Sequence, residues 1–192
     1  MARRRERRVY GVWPIEAEAL VPAPPEAVWR ALVAHERWAE WCAPLQGSRV
    51  ALTSVEVVEG SGERVADTRR CTAMVRVPLL GLRTVAWQEL VTDVWRPWTL
   101  EVEALDSPPL RRWRLRLWLA ADGGATRLRC QIWYAPVSLR PWLAAALFLR
   151  RAIHDALDAA LAALARSFEP APAEEDALEE ERAPLEAKPA AA

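Results

Sequence analysis

The chain has 192 residues, 52% hydrophobic and 27% charged, and its 26 Lys and Arg balance its 26 Asp and Glu. That length suits one domain with tails, built on a core of about 150 residues. With no net charge and no basic helix interleaved with aromatic side chains, a nucleic-acid partner is not expected.

The chain opens on Arg3, Arg4, Arg5, Arg7 and Arg8. Residues 1–13 read as a disordered basic arm, which also suits transient contact with an anionic membrane surface. Ile15, Ala17 and Ala19 then alternate with Glu16 and Glu18 as in a strand with one wet face, and Pro22, Pro24 and Pro25 stop it. A proline suits the first helical turn and Glu26 complements the helix dipole, so a helix is expected over about 26–33. Trp38 and Trp41 lie three apart and share one face of a second short helix, which Pro44 and Gly47 end.

From Arg49 the chain becomes short alternating runs separated by turn residues at Gly60-Ser61-Gly62, 78–81, Arg96-Pro97, 106–109 and Gly123-Gly124. Successive antiparallel strands follow, and register can be tested because paired side chains share a face. A loop at 106–109 sets Glu103 against Arg112 and Glu101 against Arg114 on one face. The other face then pairs Val102 with Trp113, Leu100 with Leu115 and Trp98 with Leu117. A two-residue Gly123-Gly124 turn continues the apolar face with Leu119 against Leu128, Leu117 against Cys130, Leu115 against Ile132 and Trp113 against Tyr134. On the outer face, Trp118 falls beside Arg129 and Trp133 beside Arg114, cation against ring.

In a strand over 63–77, Asp67 and Arg69 share the inward parity of Cys71, Ala73, Val75 and Val77. A following loop at 78–81 brings Gln88 opposite Cys71. A three-residue turn at 95–97 keeps Gln88 inward, whereas a two-residue turn brings Glu89 and Asp93 inward; the sequence leaves both open.

A helix over about 138–168 would run roughly 45 Å, enough to cross the sheet. Its apolar stripe carries Leu139, Leu143, Ala146, Ile153, Leu157, Leu161, Leu164 and Phe168, with Arg151, Asp155, Asp158 and Arg166 opposite. Residues 141–149 are apolar all round, which suits padding, a cavity mouth or a membrane or dimer contact. They are too few to span a bilayer, which needs about 20. Residues 170–192 are rich in Pro, Ala and Glu and read as a disordered acidic tail beyond a domain at 14–169.

VPAPPEAVWRALVAHERWAEW (21–41), VVEGSGERVADTRRCTAM (57–74) and LDAALAALARSFE (157–169) resemble the polyketide cyclase/dehydrase-like branch of the START-like (SRPBCC) superfamily. The element order agrees. The resemblance implies an α+β helix-grip fold: a curved antiparallel sheet of about seven strands wrapped on a long C-terminal helix, with two short helices after the first strand. It further implies binding, transport or sensing of a hydrophobic small molecule such as a lipid, quinone or polyketide-like aromatic. A cyclase or dehydratase using an inward carboxylate with Arg69 is the alternative, and a ligand-free interaction module is a third.

No phosphate-binding loop, nucleophile elbow or metal motif is present, so no cofactor, metal or catalytic residue is assigned. His35 and His154 stand far apart without a partner pattern. Cys42, Cys71 and Cys130 form no CxxC pair, which fits a reducing cytoplasm. The expected cavity walls are Trp98, Leu100, Trp113, Leu115, Tyr134 and Leu143. The polar groups interrupting them are Asp67, Arg69, Gln88 and Arg150, either as ligand contacts or as structural pairs.

Overall fold

The structure is a computed structural model describing residues 14–42, 50–77, 81–105, 110–136 and 142–169. The expected arm and tail, the loops at 78–80 and 106–109, and the side chains of 142–149, Leu143 among them, lie outside the described residues.

Strand β1 (Ile15–Val21) leads into helix α1 (Pro25–Val33), which starts on Pro25 with Glu26 in its first turn. A 3-10 turn (His35–Arg37) and the short helix α2 (Trp38–Trp41) follow. The remaining strands are β2 (Val50–Glu59), β3 (Thr68–Val77), β4 (Gly81–Trp95), β5 (Thr99–Leu105), β6 (Leu110–Asp122) and β7 (Ala125–Pro136). Helix α3 (Trp142–Arg166) ends the described chain's regular structure. All seven strands form one antiparallel sheet in the order β1-β7-β6-β5-β4-β3-β2. Strands β1 and β2 are its edges, and α3 packs along β1 and reaches β2, so the sheet curls around the helix as a helix grip. The helix buries Ile153, Leu161 and Leu164 and exposes Arg151, Asp155, Asp158 and Arg166, as its periodicity requires.

The β6–β7 register is the one read from the sequence, with Trp113 opposite Tyr134 and Leu117 opposite Cys130. Gly123 and Gly124, at φ of +59° and +93°, form its two-residue turn. Strands β5 and β6 keep their expected faces but slide along each other: Leu100 pairs with Leu117, Val102 with Leu115, Glu101 with Arg116 and Glu103 with Arg114. A slip by an even number of residues leaves every side chain on its face, so the apolar pattern does not discriminate against it. Trp98 therefore sits in the β4–β5 turn, its carbonyl accepting from Leu119 N at 2.8 Å, and not opposite Leu117. The slip also brings Glu101 between Arg114 and Arg116, with Thr92 Oγ1 donating to it at 2.9 Å.

Strand β4 corrects the expected position of Gln88. Gly81, at φ +73°, begins the strand instead of ending the loop, so Cys71 pairs with Trp87 and Arg69 with Glu89. Gln88 pairs with Arg70 and is exposed. The β4–β5 turn spans three residues, 96–98 in place of 95–97, but a bulge between Val91 and Asp93 reverses parity within the strand. Glu89 consequently faces inward while Asp93, on the far side of the bulge, is exposed.

The strand expected from residue 63 begins only at Thr68, because residues 60–67 form a loop around the Asp67 carboxylate. Oδ2 accepts from Ser61 N (3.0 Å), Ser61 Oγ (3.1 Å), Glu63 N (3.1 Å) and Arg64 N (2.9 Å). Burial pushes this carboxyl up, but the hydrogen bonds from Arg64 and Ser61 outweigh it and hold the group below the usual carboxylate range. The backbone pairs of Ala66 and Asp67 with Val91, both 2.9 Å, tie the loop to β4.

Gly60 (φ +83°) has no room for a side chain: a Cβ there would lie 1.9 Å from Asp67 Oδ1, whereas a Cβ at Gly123 meets nothing within 4 Å. In urea unfolding, Gly123→Ala is expected to cost about 1–2 kcal/mol, the strain of a left-handed L-residue. Gly60→Ala is expected to cost clearly more, because Asp67 must also leave its four donors. Equal losses would contradict the role given to Asp67.

Candidate functional site

Between the concave face of the sheet and α3 lies a cavity of about 160 Å3. Among the described residues its aromatic wall is Trp38 and Trp41 from α2, Trp87 from β4 and Trp113 from β6. Leu115, Leu117 and Ile132 floor it, and Ile153, Leu157 and Leu161 of α3 roof it. Trp38 and Trp41 have ring centroids 5.2 Å apart, and Trp87 meets Trp113 edge to face at 6.4 Å.

All three cysteines line this space as free thiols. Burial pushes the Cys42 thiol up to about 12 and raises Cys71 and Cys130 further, so they serve as small apolar wall groups and not as nucleophiles. Among the described residues no group of three or more His, Cys, Asp or Glu could hold a metal ion.

One carboxylate interrupts the apolar wall. Glu89 lines the cavity, and its Oε1 accepts from Trp87 Nε1 at 2.8 Å. Its Oε2 accepts from Arg69 Nε at 2.7 Å; Nη2 lies equally close to that oxygen but is not aligned for a hydrogen bond. Arg69 is completely buried behind Glu89. Its Nη1 donates to His35 Nδ1 at 2.9 Å, and the Trp38 ring covers the guanidinium at 4.3 Å. His35 is also completely buried, with Nε2 at 2.8 Å from the Gly62 carbonyl. A carbonyl only accepts, so Nε2 carries the proton and Nδ1 receives Arg69. The ring is therefore neutral: burial, and then the adjacent Arg69 charge, lower it from 6.5 to about 4. Gly62 (φ +77°) permits the approach, since a Cβ there would fall 2.3 Å from the imidazole.

Of the expected site residues, Trp113 and Leu115 line the cavity. Leu100 and Tyr134 are buried in the adjoining core. Arg69 stands one layer behind the wall, Asp67 organises its loop, Gln88 faces outward and Trp98 occupies a turn. Arg150, half-buried, donates to the Pro14 carbonyl at 3.2 Å and is not among the lining residues. Sequence reasoning missed Trp38, Trp41, Trp87 and His35 as site residues and left Glu89 open. Of these, Trp38 and Trp41 carried a signal, their spacing of three on one helical face.

A lowered histidine is a stability statement with a definite sign. The unfolded state takes up protons below 6.5 and the folded state only below about 4, so stability is full above 6.5 and falls as pH drops between these values. The expected loss is about 3 kcal/mol. Urea unfolding at pH 7 and pH 4 measures it, with His35→Gln, which keeps a donor and an acceptor but does not titrate, as the control. An undiminished loss in that variant would place the titrating group elsewhere.

Residues 13–169 match the family described as polyketide cyclase / dehydrase and lipid transport. No curated protein sequence matches the chain. Among solved structures, a protein of Thermus thermophilus aligns at 18% identity over 80% of this chain and 95% of its own, with a TM-score of 0.60. The Zhui aromatase/cyclase of Streptomyces sp. R1128 aligns at 16% identity over 81% of this chain and 92% of its own, TM-score 0.60. The major latex-like protein 151 of Panax ginseng aligns at 7% identity over 82% and 98%, TM-score 0.60. At such identities the structures speak for the fold alone, and it is the match over residues 13–169 that assigns the chain to the polyketide cyclase/dehydrase and lipid transport family of the START-like superfamily.

Proposed function

We propose that this protein binds a hydrophobic small molecule in the cavity between sheet and helix, as a carrier or sensor. The observation that carries the reading is a hollow between sheet and helix walled by four indoles, aliphatic side chains and protonated thiols. Removing apolar ligand surface from water supplies the affinity, at about 25 cal/mol per Å2. Of a lipid, a quinone and a polyketide-like aromatic, the volume and the flat walls favour a compact aromatic frame; an apolar cavity of about 150 Å3 accommodates a benzene-sized guest. Three free thiols, two of them buried and Cys42 half-buried, support a reducing, cytoplasmic setting. None of the described helices is long and apolar enough to cross a membrane.

A second reading rests on Glu89. An inward carboxylate on the wall of an aromatic pocket is the group a cyclase or dehydratase needs as acid or base. Its tight engagement with Arg69 and Trp87 favours a fixed acceptor over a proton shuttle, so binding stands first. Turnover abolished by Glu89→Gln, with ligand affinity retained, would reverse that order.

Ala156 of α3 borders the cavity and is half-buried. Ala156→Phe is expected to fill the space, weakening calorimetric binding of para-xylene at least about tenfold, or about 1.4 kcal/mol, while Tm holds or rises. Unchanged affinity in the folded variant would show that para-xylene binds elsewhere.

A further inference from the structure

We propose that the cavity selects uncharged ligands bearing a hydroxyl group and rejects carboxylates, with Glu89 as the residue that reads the difference. This rests on the binding reading above and adds the ligand's polarity.

Among the described residues, Glu89 is the only charged side chain that lines the cavity. The cations that would welcome an anion are committed elsewhere. Arg69 is completely buried and is spent on Glu89, His35 and the Trp38 ring. Arg150 contacts the Pro14 carbonyl and is not among the lining residues. A ligand carboxylate would therefore lie against a second carboxylate among apolar walls, where like charges repel more strongly than in bulk water.

A hydroxyl meets the opposite situation, because it both donates and accepts. Glu89 Oε1 holds one strong donor, Trp87 Nε1. The other donor beside this carboxylate, the Cys71 thiol, is weak and easily displaced. A ligand hydroxyl can displace that thiol and donate to Glu89 in its place. A protonated amine can donate to Glu89 but has no lone pair with which to accept. It also loses its own hydration beside a carboxylate whose charge Arg69 already offsets.

The test uses three molecules of one shape, 4-methylphenol, para-xylene and 4-methylbenzoate, titrated calorimetrically into the full chain at pH 7.5. The expected order is 4-methylphenol tightest, para-xylene about tenfold weaker, and 4-methylbenzoate weakest, at least about a hundredfold below the phenol. Glu89→Gln keeps an acceptor for Trp87 and removes the charge, so the phenol-to-benzoate ratio is expected to fall below about tenfold. Since that change leaves Arg69 buried without its counter-charge, Glu89→Gln combined with Arg69→Met is the second variant, with the same expectation. Benzoate binding as tightly as the phenol, or a ratio unmoved in whichever variant folds, overturns the selectivity while leaving the cavity reading intact. If para-xylene and the phenol both fail to bind the wild-type chain, the binding reading falls and takes this inference with it.

Discussion

A guanidinium withdrawn completely from water needs a counter-charge and hydrogen-bond acceptors, and Arg69 has an ion pair, two hydrogen bonds and a ring face. Glu89 engages one edge, the neutral His35 ring another, and the Trp38 indole covers its plane. The partners come from two separate parts of the chain: Glu89 from β4, and His35 and Trp38 from the short helical segment after α1. The cluster therefore bolts that segment to strands β3 and β4. Breaking such a pair by removing one partner costs about 3–5 kcal/mol, because the other charge is stranded.

The position of the bolt has consequences for the cavity. It ties α2, which packs against β2, to β3 through Arg69, and Trp38 and Trp41 stand across the cavity from the floor at Leu115 and Leu117. Only the carboxylate side of the pair reaches the interior surface; the cation is hidden behind it. The loop before β3 supports this arrangement from outside: Asp67 gathers its amides, and Gly60 and Gly62 let Asp67 and His35 approach the backbone. Two of the four indoles are fixed by hydrogen bonds of their own, Trp38 to the Leu32 carbonyl and Trp87 to Glu89.

Much of the architecture was legible in the residues. Alternation in β6 and β7 with a Gly-Gly turn admits one register, and the stripe on α3 separates Leu161 and Leu164 from Asp155 and Asp158. The β5–β6 slip was invisible because an even shift preserves faces. The site was harder to read, since its chemistry turns on single-residue irregularities. Gly81 entering the strand early and the bulge after Val91 decide between Gln88 and Glu89, and each depends on backbone geometry that no side-chain pattern encodes. His35 was obscure for another reason: its partners are an arginine on β3 and a loop carbonyl, joined only by the folded topology. Arg150 interrupts the apolar stripe in projection, and the Pro14 carbonyl just before β1 accepts its hydrogen bond.

The account stands or falls on whether the hollow takes a guest. Native mass spectrometry of the full chain, purified from its own cells and then incubated with an apolar solvent extract of those cells, measures this directly. A single small neutral molecule per chain, releasable into solvent, is the result predicted. The bare protein mass both before and after incubation would contradict it.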